Sequence, residues 1–227
     1  KLCSRFPVQD FIAAGHGAAG VLVGSAPAEG ADGTALPLHD YEGPLPKDIV
    51  DDYRIVSGDP SRLGSAIMPG ATHTARQMLW AECAHPDAFA GAAHVLGIPQ
   101  YWAARLSGVA VAEYSTLAAQ SHLWADGDWQ PIVAARNWGR LMPPVVRAGT
   151  VIGPVLPKIA RRHSLPPDLR IHAGGHDSSV AFHRYQAAGL KNFAVISTGT
   201  WTVALTDRCD RGRFDPARGM TLGADTG

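Results

Sequence analysis

The stretch of residues 171–207 constrains the fold of this chain more than any other. Its first half, IHAGGHDSSVAF, is an apolar run followed by two glycines, an acid and the small-residue start of a helix. Its second half, FAVISTGTWTVALTD, has two runs of β-branched and aromatic residues, 193–197 and 201–205, on either side of Thr198-Gly199-Thr200. This composition and spacing predict a β-hairpin that closely follows a helix.

Asp177 is the first candidate for chemistry. Gly174 and Gly175 stand shortly before it, and glycine lets the backbone approach another group closely or adopt a positive φ. We therefore do not expect Asp177 to be an ordinary surface charge. The alternative is a helix cap, because an Asp before two serines can accept hydrogen bonds from the free N–H groups of a helix start.

The turn Thr198-Gly199-Thr200 is the second candidate. A turn rich in Gly and Thr can offer backbone N–H groups and hydroxyls to an anion, as phosphate-binding nests do. The alternative is that these residues only join two strands. The order and closeness of the acid and the turn favour a carboxylate beside a phosphate cradle.

At this point the sequence resembles a family. GGHDS followed by STGTW is similar to the FGGY carbohydrate kinases, which are ATP-dependent sugar kinases. The resemblance continues upstream through PQYWAARLSGVAVAEYSTLAAQSHLWADGDW, a Trp-Gly and Pro-Pro stretch, and AGTVIGPVLP. It covers most of residues 12–205, and this long ordered match is more specific than either short motif. The Ser-x-Gly-Thr-Trp turn is more like the branch that acts on fuculose or rhamnulose than the glycerol kinases.

The resemblance implies an α/β chain with the actin-like ATPase (ribonuclease H-like) fold, in which two lobes enclose a cleft. Residues 1–187 are then an N-terminal sugar-binding lobe whose start is missing. Residues 188–227 are the beginning of a truncated C-terminal nucleotide-binding lobe. FGGY kinases are much longer than 227 residues and open with a glycine- and threonine-rich phosphate hairpin that we do not find here. We therefore expect the chain to be a fragment.

The resemblance also implies ATP-dependent phosphorylation of a hydroxyl of a ketose or polyol. Asp177 is the expected general base, since a carboxylate within hydrogen-bond reach of the hydroxyl suits that task. His176 is expected to orient the sugar, and Thr198, Gly199 and Thr200 are expected to bind ATP phosphates. Mg²⁺ is expected to bridge the phosphate oxygens of ATP, without a cage of protein ligands.

Further substrate contacts are expected near the N-terminus. The run DFIAAGHGAAGVLV predicts a strand, a loop and a second strand that begins past Gly20. In the family the corresponding His-Gly pair lies at the sugar pocket, so His16 and Gly17 are expected substrate contacts. The alternative is a simple glycine turn with an exposed His16. Asp40 follows the second strand, where family members also carry an acid near the sugar.

One segment departs from the family. The segment EYSTLAAQ, which begins at Glu113, differs from the Asp- and Ser-rich sequence that family members more commonly have near the substrate. We therefore assign no site residue to the run from Glu113 to Thr116.

Three helices, a turn and a strand are predicted from local patterns. Residues 72–84 carry an apolar stripe of Ala75, Met78, Leu79 and Cys83 that predicts an amphipathic helix packed on the core. Residues 99–106 predict a helix between a proline and a glycine, with Tyr101, Trp102 and Leu106 facing inward. Residues 126–129 lack the spaced oxygen ligands of an EF-hand and predict a turn before a helix. Residues 151–157 predict a strand, followed by a helix over 158–163.

Composition narrows the class of partner. Hydrophobic residues make up 46% of the chain, and 20 basic residues balance 20 acidic ones. The chain therefore offers no electrostatic attraction to nucleic acid or an anionic membrane, and we expect neither as a partner. Three widely spaced cysteines indicate neither a disulfide framework nor a zinc site, which favours a cytoplasmic protein. The oligomeric state is left open between a monomer and a homodimer.

Two other functions compete with the kinase. A non-catalytic actin-like module that binds nucleotide or sugar would keep the Thr-Gly-Thr turn but would not need a positioned Asp177. A hydrolase would use Ser178 or Ser179 with His176. The sequence has no GxSxG nucleophile elbow, and adjacent residues at a helix start are expected to point in different directions.

Overall fold

The chain folds as a mixed α/β structure. The computed structural model describes residues 6–28, 33–198, 202–208 and 210–223. The strands are β1 (Asp10–Phe11), β2 (Ala14–Gly15), β3 (Gly20–Val23), β4 (His94–Gly97), β5 (Ala112–Glu113), β6 (Trp124–Ala125), β7 (Asp128–Trp129), β8 (Val145–Val146), β9 (Val151–Pro154), β10 (Arg170–His172), β11 (Gly175–His176), β12 (Ala194–Thr198) and β13 (Thr202–Thr206).

Helices are interspersed with these strands along the chain. They are α1 (Lys47–Val56), α2 (Pro60–Leu63), α3 (Thr74–Ala84), α4 (Pro86–Gly91), α5 (Ile98–Ser107), α6 (Tyr114–Gln120), α7 (Pro131–Ala135), α8 (Pro157–His163) and α9 (Asp177–Ala187). Three short 3₁₀ turns span Trp138–Leu141, Arg211–Arg213 and Pro216–Arg218. Within the described ranges, no helix combines the length and apolar character that crossing a membrane requires.

The N-terminal strands run parallel to the strands that precede α9. Asp10 in β1 pairs with Arg170 in β10, and Gly15 in β2 pairs with His176 in β11. Strand β9 pairs antiparallel with β10 on its other side. Because parallel strands end at the same edge, the residues that follow Gly15 and His176 leave their strands side by side.

The other pairings join strands that are closer together in the chain than β1 and β10. β3 pairs antiparallel with β4, and β5 pairs parallel with β8. β6 and β7 form a tight hairpin whose connecting residues, Asp126 and Gly127, both have positive φ, as a type I′ turn requires. The turn predicted at residues 126–129 is confirmed, and α7 follows it.

Helix α3 agrees with its predicted position except at one residue. Ala75, Met78 and Leu79 are buried in the largest apolar cluster, whereas Cys83 is exposed. Eight residues rotate a helix by about 80° beyond two full turns, so Cys83 lies beside the stripe in the last turn. The inward position predicted for Cys83 is therefore wrong.

Helix α5 also has its predicted position and its C-terminal glycine. Gly108 adopts φ 79° and ends the helix, as a left-handed cap does. The inward position predicted for Trp102 is wrong, because this residue is 53% exposed. Ala103 and Ala104 occupy the buried face instead, and their small side chains let the helix backbone approach the core closely. Tyr101 and Leu106 are half-buried.

The predicted hairpin forms from β12 and β13. These strands pair antiparallel from Ala194 with Thr206 to Thr198 with Thr202. The three residues between them, 199–201, lie outside the described residues. Helix α9 packs on the hairpin through Phe182, whose ring centroid is 4.9 Å from that of Phe193.

Candidate active site

The ends of β2 and β11 bring together four of the residues singled out in the sequence. His16 and Gly17 follow β2, while His176 ends β11 and Asp177 begins α9. A Cβ placed on Gly17 would lie 3.6 Å from Cδ2 of His176 and only 2.6 Å from Cβ of Ala119. Gly17 therefore allows helix α6 and the His176 ring to approach the β2 end as closely as they do.

His176 occupies the N-cap position of α9. Its Nδ1 lies 3.1 Å from the Ser179 hydroxyl, and its Nε2 lies 3.3 Å from Oδ1 of Asp177. Burial lowers the pKa of the His176 imidazole, the Asp177 carboxylate raises it in part, and His16 lowers it further. The His176 ring is therefore biased towards its neutral form, in which it offers one donor and one acceptor.

Asp177 is the first residue of α9, and its side chain is 53% exposed. Its Oδ1 accepts hydrogen bonds from the Ser178 backbone N–H at 2.6 Å and from the Ser178 hydroxyl at 3.3 Å. A carboxylate in the first turn also interacts favourably with the helix dipole. The N-cap of α9 is His176 and no side chain makes a capping hydrogen bond there, so the alternative that Asp177 is the helix cap is wrong. The Asp177 carboxylate is open to solvent.

His16 is half-buried and contacts Tyr41. Their ring centroids are 4.8 Å apart, and Nδ1 of His16 is buried without a hydrogen-bond partner among the described residues. Burial lowers the pKa of His16, and Asp177 raises it in part. An exposed His16 on a simple turn does not fit this arrangement. Tyr41 was missed in the sequence, although an aromatic residue beside a polar site is a common pocket component.

Asp40 lies in a turn directly before Tyr41. Its Oδ1 accepts from the backbone N–H of Glu42 at 3.0 Å, and its carbonyl accepts from Gly43 N–H at 2.9 Å. The side chain is exposed. The contact between Asp40 and sugar stays a prediction, and the structure places its neighbour Tyr41 against the site.

Ser115 links helix α6 to the site. Its hydroxyl accepts a hydrogen bond from the backbone N–H of His176 at 3.0 Å, and it donates one to Oε2 of Glu113 at 2.7 Å. Both residues are fully buried. No site residue was predicted in this segment, because its residues differ from the pattern that is common in the family. The local signal was an acid two positions before a Ser-Thr pair, where it can accept from the free N–H groups of a helix start.

Thr198 ends strand β12 and is exposed. The described contact between α9 and the hairpin lies at Phe193, which is about 17 Å along an extended chain from Thr198. Gly199 and Thr200 lie outside the described residues. The phosphate-binding role of Thr198, Gly199 and Thr200 therefore stays a prediction.

Metal-ligating side chains do not cluster in the described part of the chain. No group of three or more His, Cys, Asp or Glu residues there is arranged to hold a metal ion. The described residues therefore do not form a protein cage for Mg²⁺.

Comparison with known proteins shows the family. Residues 60–182, more than half of the chain, match the FGGY family of carbohydrate kinases, N-terminal domain. An L-fuculokinase of Escherichia coli strain K12 is 25% identical over 174 residues, which are 74% of this chain and 36% of that protein. The chain thus spans about a third of the length of this relative.

Solved structures agree with this result. A carbohydrate kinase from Novosphingobium aromaticivorans superposes with a TM-score of 0.85 and 34% identity, over 97% of this chain and 48% of that one. A ligand-bound xylulose kinase from Lactobacillus acidophilus gives a TM-score of 0.63 at 17% identity, over 78% of this chain and 36% of that one. The expected α/β fold of the actin-like ATPase class is confirmed. The chain belongs to the FGGY family of carbohydrate kinases.

Proposed function

We propose that this chain forms the sugar-binding lobe of an enzyme that transfers the γ-phosphoryl group of ATP to a hydroxyl of a ketose or polyol. One observation supports this most: an accessible Asp177 carboxylate stands beside two half-buried histidines at the common edge of β2 and β11. Family membership supports the same reaction. The chain spans about half or less of its relatives, so the activity of the whole protein is part of this proposal.

Asp177 acts as the general base in this proposal. The attacking hydroxyl forms a bond to the γ-phosphorus, the bond from that phosphorus to the bridging oxygen of ADP breaks, and the hydroxyl proton passes to the Asp177 carboxylate. His16 and His176 are proposed to hold the sugar: Nδ1 of His16 has no hydrogen-bond partner among the described residues, so a sugar hydroxyl would satisfy it, and the His176 ring lies beside the Asp177 carboxylate. Gly17 is proposed to contact the sugar at the β2 end, as the family resemblance implies.

The nucleotide is proposed to bind to the hairpin side. Thr198, Gly199 and Thr200 would hold the ATP phosphates, and residues 188–227 would begin the nucleotide-binding lobe, after a sugar-binding lobe of residues 1–187. ATP would enter as its Mg²⁺ complex, in which the ion neutralises charge on the phosphate oxygens. The described residues provide no cage for that ion, so we assign no protein ligands to it.

The sugar is proposed to be a ketose of the kind handled by the fuculose and rhamnulose branch. The Ser-x-Gly-Thr-Trp wording of the turn and the similarity to an L-fuculokinase support this choice. The cytoplasmic location also stays a prediction and is supported by cysteine usage.

One contact favours a second function. Ser179 approaches His176 at 3.1 Å, so the expectation that the serines point away from this histidine is wrong for Ser179. Residues three apart share a helix face, which explains the contact. A hydrolase that uses Ser179 would lose activity on Ser179→Ala, whereas the kinase would keep most of its phosphoryl transfer in that variant.

The test is ADP release by a complete version of the enzyme against a panel of ketoses and polyols. We expect Asp177→Asn to lower kcat on the best sugar by at least about 100-fold, within the range for a lost general base. Asp59→Asn is the matched control, because Asp59 is also an exposed acid that bonds a following serine, at Ser61. Near-normal turnover in Asp177→Asn, or no ADP release with any sugar, would contradict the proposal.

A further inference from the structure

Glu113 is a buried carboxylate directly behind the candidate site. Its Oε1 accepts a hydrogen bond from the Ser115 N–H at 2.9 Å. Its Oε2 accepts three more, from the Ser115 hydroxyl at 2.7 Å and from the N–H and hydroxyl of Thr116 at 2.9 Å each. Four donors hold this carboxylate in one orientation, so the start of helix α6 is rigidly defined.

Helix α6 supports both strand ends that carry site residues. The Ser115 hydroxyl donates to Glu113, which fixes the direction of its lone pairs towards the His176 N–H, 3.0 Å away. A Cβ placed on Gly175 would lie 3.1 Å from this hydroxyl. On the other strand end, a Cβ placed on Gly17 would lie 2.9 Å from the carbonyl of Thr116. The start of helix α6 therefore contacts both Gly17, just after β2, and His176, at the end of β11.

Asp177 depends on its backbone for its direction. The carboxylate is half exposed, and the described contacts that hold it come from its two chain neighbours, His176 and Ser178. A shift of the backbone at His176 therefore moves the carboxylate and the imidazole together. A displacement of a reacting group by about 1 Å can lower the rate of catalysis roughly 100-fold.

We infer that Glu113 and Ser115 are positioning residues, which fix the backbone at His176 and thereby aim His176 and Asp177 at the sugar. Neither residue touches the reacting atoms. Glu113 orients the Ser115 hydroxyl, and that hydroxyl holds the peptide N–H that precedes the base. This inference rests on the proposed role of Asp177.

Ser115→Ala in the complete enzyme is the first test. It removes one oxygen, and we expect kcat to fall about 10- to 100-fold with a much smaller change in KM. The Asp177 carboxylate would no longer be oriented correctly towards the sugar hydroxyl, whereas sugar binding would be largely unchanged. Ser115→Thr keeps the γ-oxygen and is expected to restore most of the lost kcat.

Ser107→Ala is the matched control for a merely structural effect. The buried Ser107 hydroxyl also donates one hydrogen bond, to Ala103 O at 2.8 Å, and accepts one, from Val109 N–H at 3.1 Å. Both variants are expected to lower the melting temperature to a similar degree. Only Ser115→Ala is expected to lower kcat, and an equal fall of kcat in both would overturn the inference.

A double-mutant cycle provides a sharper distinction. If Ser115 acts by positioning Asp177, the loss of the Ser115 hydroxyl should matter little in an enzyme that already lacks the Asp177 carboxylate. We therefore expect Ser115→Ala to change kcat less than about twofold in an Asp177→Asn background. A full additional loss in that background would overturn the inference.

A measurement without turnover separates this inference from the proposed function. In Ser115→Ala we expect the His176 amide proton to exchange faster with solvent, and the His176 imidazole resonances to shift. Absence of kinase activity in the wild type would contradict the proposed function, and the amide measurement would still decide the positioning network. Unchanged exchange and resonances at His176 would overturn the network whatever the activity.

Discussion

The rings of His73 and His122 stack inside the protein, with centroids 3.6 Å apart and planes 13° from parallel. The Tyr53 hydroxyl lies 2.7 Å from Nδ1 of His122, and the Ser65 hydroxyl lies 2.8 Å from Nε2. His73 accepts from Met68 N–H at Nε2, 2.8 Å away. Stacked rings this close tolerate neutral imidazoles much better than charged ones.

Acid is expected to destabilise the protein through this pair. Burial lowers the pKa of His122 to about 3, and it lowers that of His73 well below the usual range. The unfolded chain therefore binds more protons than the folded one below about pH 6.5, and stability falls as pH drops. We expect a loss of about 1.4 kcal/mol per pH unit for each histidine between about pH 6 and 4.

Urea unfolding from pH 8 to pH 4 checks this prediction. His122→Asn removes one titrating group and suits the left-handed backbone at residue 122, where φ is 58°. This variant is expected to show a shallower loss of stability with acid. His163→Asn changes an exposed histidine and serves as the control. Equal acid slopes in all three proteins would contradict the prediction.

Removal of the Asp177 charge is expected to lower the pKa of both site histidines. Asp177 raises the pKa of His16 and of His176 against the effect of burial, so Asp177→Asn leaves burial without that opposing charge. NMR titration of the imidazole protons measures both values in the isolated chain. Asp59→Asn is the control. Unchanged pKa values of His16 and His176 in Asp177→Asn would contradict the prediction.

Gly17→Ala is expected to destabilise the chain by about 1–3 kcal/mol, because a methyl group has no space at this position. It would meet Ala119 Cβ at 2.6 Å and the Thr116 carbonyl at 2.9 Å. A methyl group on Gly24 meets nothing within 4 Å, so Gly24→Ala is the matched control. Urea unfolding of both variants is the measurement, and a Gly17→Ala protein as stable as Gly24→Ala would refute the close approach.

Substitution of two tryptophans is expected to lower the stability of the protein by different amounts. Trp138 is fully buried against Phe89, with ring centroids 6.3 Å apart, so Trp138→Ala should cost about 3–5 kcal/mol through lost contacts and a cavity. Trp102 is 53% exposed and its ring meets that of Tyr101 edge-on, with centroids 5.3 Å apart, so Trp102→Ala should cost only about 1 kcal/mol. Similar unfolding midpoints for the two variants would mean that the packing described for α5 or for Trp138 is incorrect.

Local patterns in the sequence predicted local structure well. The hairpin after α9, the turn at residues 126–129 and helices α3 and α5 follow from composition, glycines and apolar spacing. The predicted inward position of Trp102 in α5 was wrong, because the sequence of a short helix with apolar residues on several sides does not show which face is buried. The two buried alanines beside Trp102 decide the packing, and their small size gives little signal in the sequence.

The sequence motifs nominated residues for the candidate site but did not predict how these residues come together. His16 and Asp177 were each identified from a motif, yet their proximity depends on parallel pairing between β2 and β11, which no local pattern encodes. Tyr41 enters only through a loop that folds back on His16. Ser115 and Glu113 were not included in the predicted site, because the sequence around them differs from the family pattern. Their proposed role depends on the hydrogen bond from the His176 N–H to the Ser115 hydroxyl, which joins residues 61 positions apart.

The pairing of β1 and β10 joins residues 160 positions apart, as the contact between Asp10 and Arg170 shows. During synthesis, residues 10–17 emerge long before their partner strands, so the candidate site cannot assemble until residue 176 has left the ribosome. Residues 11–169 lie inside this loop, and its closure belongs with the slow, long-range steps of folding. A ligand that binds between the two strand ends would therefore report that all of these residues have folded.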